Sequence, residues 1–378
     1  MSYFDNAATT FPKPEVVYAT MDTFYRTCGV NVGRGQHKLA FTASSIVDET
    51  RKQLLNLFKA NNKKVVFTPS ATEALNLVLR GISLSKNSHV YVTPLEHNAV
   101  TRVLHYLGCQ VHLLDIDTVT LQYDFNQIEK QFQLATPSAI VMSHASNVCG
   151  LVAPIEELCQ LAKKYSAVTI IDMSQTAGLI DANLSSNIYD FAIFAGHKTL
   201  YGPFGIAGLI FNPSNKLEPL IYGGTGVDSA NQDMPESLPE RLEAGSPNIL
   251  AISGLHAALN WIEETGIQNI YKKEQENCEK LLALLGNYRN VRILANNTNT
   301  ERIGVISCVF ENYSADSIGN ILSNMNIAVR TGLHCSPYAH KFLGTFPSGT
   351  VRFSVSYFNH DNDFARLKDA LDYIEING

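Results

Sequence analysis

The sequence has no pair of cysteines at metal-binding or redox spacing. Its seven cysteines in 378 residues stand apart as Cys28, Cys109, Cys149, Cys159, Cys278, Cys308 and Cys335. The absence of any CxxC speaks against a zinc ribbon and a disulfide framework, and for a reducing compartment. No apolar run approaches the length of about 20 residues that a membrane helix needs. The opening Met1-Ser2-Tyr3-Phe4-Asp5-Asn6 lacks the basic-then-apolar pattern of a signal peptide, so a cytoplasmic protein with no membrane partner is expected. A large excess of one sign of charge is missing as well. A net charge of −6 and the lack of an appended DNA-binding motif argue against a nucleic-acid partner. Internal repeats and low-complexity segments are missing too.

What remains is ordinary globular composition, 45% hydrophobic and 17% charged, on a chain long enough for two domains. Helical periods and short apolar runs alternate. Ile46, Val47, Leu54, Leu57 and Phe58 recur at helical spacing within 42–59. Lys64-Val65-Val66-Phe67 reads as a buried strand. Ser70-Ala71-Thr72-Glu73 reads as a capping box that opens a helix at once. Strands are expected at 90–92, 139–142, 167–171 and 190–195, with helices from Asn98 and from about Pro154 after the first two. Residues 205–211 are expected to return antiparallel or at an edge. This is the α/β pattern of a mostly parallel sheet covered on both faces, in which ligands bind beyond the strands' carboxyl ends. After Gly245 the pattern changes: a helix over 249–265, a run at 303–310 that is apolar on both faces, and an alternating strand at 350–356. Helices near 315–325 and 361–376 complete a smaller α+β unit. The expected division is a large domain over 15–255 and a small one over 1–14 and 256–378.

The unusual residues fall at strand ends. Asp172 closes the apolar run Val168–Ile171. Alone it reads as a turn residue. Twenty-six positions on, Lys198 follows Phe194-Ala195-Gly196-His197. Alone it reads as a solvated strand end. A desolvated lysine loses basicity, and its neutral amine forms a Schiff base with an aldehyde. Together the two suit pyridoxal 5'-phosphate, which needs a lysine for the imine and an acid on its ring nitrogen. The helix beginning at Ala71 and Thr72 offers free N–H groups and a positive dipole end for the phosphate.

With these residues in order, the chain resembles the class V aminotransferase family of fold-type I pyridoxal-phosphate enzymes, and within it group II cysteine desulfurases and selenocysteine lyases. The strings that carry the resemblance are Asp5-Asn6-Ala7-Ala8-Thr9-Thr10, Ile171-Asp172-Met173-Ser174-Gln175, Gly196-His197-Lys198, Arg241-Leu242-Glu243-Ala244-Gly245-Ser246-Pro247-Asn248 and Val329-Arg330-Thr331-Gly332-Leu333-His334-Cys335. The resemblance spans nearly the whole chain, through Val351-Arg352-Phe353-Ser354. It implies that Lys198 holds the cofactor, that Asp172 binds the ring nitrogen and that His97 stacks on the ring. By residues alone, His97 reads as a turn. The resemblance further implies Gln175 at the ring's phenolic oxygen, and Asn147 there or at the substrate carboxylate. Ala71, Thr72 and His197 take the phosphate, and Thr225 of the Gly223–Gly226 loop reaches the phosphate of a partner subunit in a homodimer. One departure is visible: Ala195 stands where many relatives carry a phosphate-binding Ser or Thr.

Cys335 decides the reaction type. Most cysteines are small buried hydrophobes, as Cys308 looks to be. Cys335 instead sits among His334, Ser336 and Pro337, and a neighbouring cation would favour its thiolate. His334, Cys335 and His340 make a poor metal set, because an adjacent Cys–His pair meets one tetrahedral ion awkwardly; no metal is expected. The resemblance implies that Arg352 clamps the amino acid's carboxylate, assisted by Arg330; the plainer alternative of a surface ion pair suits Arg330 better than Arg352. The expected reaction is conversion of L-cysteine to L-alanine, with sulfur passing to Cys335 as a persulfide and on to a small acceptor protein. The short stretch 331–337 predicts a restricted loop. Selenocysteine lyase and class V aminotransferase are the alternatives, and a non-catalytic cofactor-binding protein is a third, disfavoured by the intact Lys198, Asp172, Arg352 and Cys335.

Overall fold

Aliphatic and β-branched runs buried on both faces build the centre of the molecule. The structure is a computed structural model describing residues 1–32, 35–297 and 300–377. In chain order the elements are β1 (Ser2–Tyr3), α1 (Glu15–Cys28), α2 (Lys38–Leu57), β2 (Lys64–Thr68), α3 (Ala71–Gly81), β3 (His89–Val92), α4 (Asn98–Leu107), β4 (Gln110–Leu113), α5 (Phe125–Leu134), β5 (Ala139–Ser143), α6 (Ile155–Lys164), β6 (Val168–Asp172), β7 (Phe191–Ala195), β8 (Ala207–Phe211), α7 (Ile249–Thr265), α8 (Ile267–Leu285), β9 (Val291–Ile293), β10 (Val305–Phe310), α9 (Ala315–Asn324), β11 (Ile327–Ala328), β12 (Arg330–Gly332), α10 (Pro337–Phe342), β13 (Thr350–Ser354) and α11 (Asp361–Asn377).

A seven-stranded sheet runs in the order β2-β8-β7-β6-β5-β3-β4. All strands are parallel except β8, which is antiparallel to both neighbours. The period of two along each strand splits its residues between two cores. Ile171 and Phe194 join the core with α2, α6 and α7, while Ile170 and Ile193 join the core with α3 and α4. This double burial is why the strands read as continuous apolar runs. The strand expected at 205–211 returns antiparallel over Ala207–Phe211, and it does so inside the sheet.

The second body is an antiparallel sheet in the order β12-β13-β10-β9. Its core is made with α8, α9 and α11. The alternation expected over 350–356 is present, but its polar side is not a solvent face. Thr350, Arg352 and Ser354 are buried along with Val351 and Phe353, because that side is covered by His334, by Asn147 of the large body and by the amino-terminal segment at Asp5 and Ala7.

The expected division at 255/256 falls inside α7, whose Ala251, Leu255, Ala258 and Ile262 all pack into the large body's core. The next helix carries the chain across: Ile270 belongs to the first core, Cys278 and Leu281 to the second. We therefore propose the division within α8. No described helix is long and apolar enough to cross a membrane.

Candidate active site

The parallel strands bring their carboxyl ends to one edge. There β6 ends on Asp172, β7 leads into Gly196-His197-Lys198, β3 into the turn ending at His97, β5 into the loop with Asn147, and β2 into α3. These ends enclose a cavity of about 210 Å³ lined by Ala71, Thr72, His97, Asn147, Asp172, Gln175, His197 and Lys198, among others. Eight of the residues singled out from the sequence thus converge on one space.

Burial pushes the Lys198 amine down to about 8, against the opposing pull of Asp172, and the Arg352 and Arg330 charges lower it further. Asp172 is buried; its Oδ1 accepts the Ser174 amide at 2.9 Å, and Oδ2 has no protein donor among the described residues. His97 is the N-cap of α4. Its Nδ1 accepts the Ala99 amide at 3.0 Å, so the ring proton belongs on Nε2. Burial first, then the Lys198 charge, holds this imidazole down to about 4, and it is neutral at neutral pH. Ser70 caps α3 by accepting the Glu73 amide at 3.2 Å, which leaves the first amides of the helix without intrahelical acceptors.

The residues present fit pyridoxal phosphate. His197 Nδ1 and Ser174 Oγ are buried without a partner, and both residues line the cavity. Where Ala195 supplies no hydroxyl, Ser70 and Thr72 line the same space. Two expected cofactor or substrate contacts are already engaged by protein. Gln175 Nε2 donates to Ala7 O at 2.9 Å. Asn147 has both ends of its amide on the cysteine loop: Nδ2 donates to His334 O at 2.8 Å, and Oδ1 accepts from Ser336 Oγ at 2.7 Å.

Cys335 is the exposed one of the seven cysteines, all of them free. It does not line the cavity but the adjoining groove, which it shares with His97 and Thr72. Both His334 (φ 47°) and Cys335 (φ 59°) have left-handed backbones, an unfavourable conformation for non-glycine residues. The bond to His334 O and that from Asn98 N to Cys335 O at 2.7 Å hold that backbone, and Asn147 ties the Ser336 side chain next to it. Cys149 is fully buried in a small satellite core. Thr225 lies in an exposed loop away from the cavity, its hydroxyl 3.3 Å from Val227 O. Arg330 is exposed, whereas Arg352 is 2% exposed and pairs with Asp5 at 2.7 Å. The plainer reading of Arg352 as a surface pair therefore fails: the guanidinium is buried and its partner half-buried. Asp5 and Ser174 were not singled out as site residues. Both lie within strings quoted from the sequence, but the distant partner that makes Asp5 notable cannot be seen there.

A buried strand-end lysine, an acid on the neighbouring strand and a helix N-terminus facing one cavity define a fold-type I pyridoxal-phosphate enzyme. The chain belongs to the aminotransferase class-V family, whose model matches residues 2–367. It is 31% identical to a probable cysteine desulfurase of Aeropyrum pernix, over 98% of this chain and 94% of that protein. It is 29% identical to a probable cysteine desulfurase of Methanothermobacter thermautotrophicus, with the same coverage of 98% and 94%. The apo structure of a cysteine desulfurase from Thermococcus onnurineus matches it with a TM-score of 0.90 at 29% identity, covering 100% of this chain and 95% of the other.

Proposed function

We propose that the chain is a pyridoxal-phosphate-dependent cysteine desulfurase that turns L-cysteine into L-alanine and collects the sulfur on Cys335. The carrying observation is that the exposed cysteine opens into a groove sharing His97 and Thr72 with the cavity of the buried Lys198. When bound, the cofactor supplies a protonated heterocycle that accepts the electron pair of the substrate's Cα–H bond.

The chain's own groups do the rest. Lys198 is the cofactor-holding amine, and Asp172 keeps the ring nitrogen protonated. The amides of Ala71 and Thr72, with the free Nδ1 of His197, take the phosphate. Gln175 and Asn147 would border the ring's oxygen side. His97, neutral and fixed by its capping bond, would cover the ring face. Arg352 receives the α-carboxylate with Arg330 beside it, which sets the α-hydrogen toward Lys198. Lys198, freed by the incoming amino group, takes that proton and returns one to carbon. The Cys335 thiolate attacks the substrate sulfur: an S–S bond forms, the C–S bond breaks, and a persulfide remains on Cys335. With the carbonyls of His334 and Cys335 and the side chain of Ser336 held, Cys335 does not carry sulfur away, so a small acceptor protein must come to it. Thr225, remote from its own cavity, fits a role at the phosphate of a second copy in a homodimer.

The test is to incubate the loaded enzyme with cysteine, selenocysteine and alanine, assaying alanine with sulfide or selenide. Cysteine turnover without a keto acid supports the reading, and a requirement for a keto acid replaces it with aminotransfer. Cys335→Ala is expected to lose sulfide release by at least 100-fold while keeping the cofactor's absorbance. A variant that still turns over selenocysteine alone points to a selenocysteine lyase. Undiminished cysteine turnover removes Cys335 from the mechanism.

A further inference from the structure

The opening motif holds an acid that the reaction does not use. Asp5 Oδ1 accepts from Arg352 Nη2 at 2.7 Å. Arg352 Nη1 donates to Asn147 O at 2.9 Å, and Nε is buried without a partner. Two of the guanidinium's five N–H groups are thus engaged, and three stay available. We infer that Asp5 is a positioning residue that orients Arg352 and thereby sets the enzyme's affinity for the α-carboxylate of its substrate.

Asp5 is held where it can do this. It bridges Ser354, two residues from Arg352 along β13. On either side, Ser354 N donates to Phe4 O at 2.7 Å, Asn6 Nδ2 to Ser354 O at 2.9 Å, and Ala7 N to Ser354 Oγ at 2.8 Å. The backbone around Asp5 is sewn to the strand that carries Arg352, and its carboxylate cannot drift.

Arg352 needs such a partner. It faces Arg330 directly across the β12–β13 ladder, and like charges in that relation repel. Burial also disfavours its charged form, which Asp5 counteracts. Asp5 is its one ion-pair partner among the described residues. A buried guanidinium without an anion swings or collapses onto other acceptors. Held at Nη2 by Asp5 and at Nη1 by Asn147, it keeps its plane fixed and its Nε–H unpaired, so less order is lost when a carboxylate binds.

This rests on the reading of Arg352 as the carboxylate clamp. The experiment titrates the visible absorbance of the loaded enzyme with alanine and with ethylamine, which is alanine without its carboxylate. The ratio of the two dissociation constants isolates the carboxylate's contribution. Asp5→Asn is expected to shrink that ratio about tenfold or more and to raise the KM for cysteine similarly, with kcat within about threefold. Asp5→Glu, which keeps the charge, is expected to recover part of the ratio. A merely structural role would weaken both amines alike. An unchanged ratio in Asp5→Asn, where Arg352→Gln lowers it, overturns the inference and leaves the clamp standing. An unchanged ratio in both variants removes the clamp and the inference with it. If Asp5→Asn does not accumulate as folded protein, Asp5→Glu decides: a loss of about threefold supports the inference, and an unchanged ratio overturns it.

Discussion

Lys198 shows how one side chain acquires its chemistry from where the strand stops. Burial lowers its amine to about 8, and Asp172 opposes that fall. The neutral amine that attacks an aldehyde therefore becomes the major form above pH 8 or so, well below the 10.5 of an ordinary lysine. Cofactor uptake by the apoprotein is expected to rise through that pH. Asp172→Asn removes the pull that raises the amine, so the midpoint moves to lower pH; stopped-flow absorbance at a series of pH values reads both. Lys198 and Asp172 were legible because each sits at the end of a run whose burial is written in its own few residues. The Asp5–Arg352 pair joins positions 347 residues apart, and the Asn147–His334 bond joins positions 187 apart. No local pattern marks either: the first is made where the amino-terminal segment lies along β13, the second where the two bodies meet.

At the scale of elements, strands and helices with strong local signals appear where the residues put them: α7 at Ile249–Thr265, α4 from Asn98, and α3 behind its Ser70 cap. Short edge pieces such as β9, β11 and β12 do not announce themselves, because two or three residues carry no period. The antiparallel β8 depends on one glycine. A Cβ on Gly208 would run into the Val66 carbonyl oxygen and the Phe194 ring, which lie on the two strands flanking it. Gly208→Ala is expected to cost about 1–3 kcal/mol in urea unfolding. It is also expected to lower cofactor affinity, since β7 leads straight into Lys198.

For the whole molecule, pH stability is set partly by Glu274 of α8. Burial pushes its carboxyl up to about 8, eased by a bond from Gly304 N at 3.1 Å. A carboxyl raised on folding gives stability that is complete below its ordinary 4.5 and is lost as pH climbs toward 8. Glu274→Gln keeps an acceptor for Gly304 and removes the titration. Its melting temperature is expected to exceed the parent's by a margin that widens between about pH 5 and 8, as read by calorimetry at each pH.

The backbone passes from one body to the other at two places. One lies between Phe4, in the small core, and Ala7, in the large one; the other runs along α8. A single tether lets two masses rotate about it, whereas a pair of tethers side by side leaves mainly one bending axis. Opening of the cleft would thus be a flex like a door's. It would carry Arg352 toward or away from Lys198 along one repeatable arc, and Ala7, whose N–H is bonded to Ser354 of the small body and whose carbonyl accepts from Gln175 of the large one, would take up the dihedral change on the amino-terminal side.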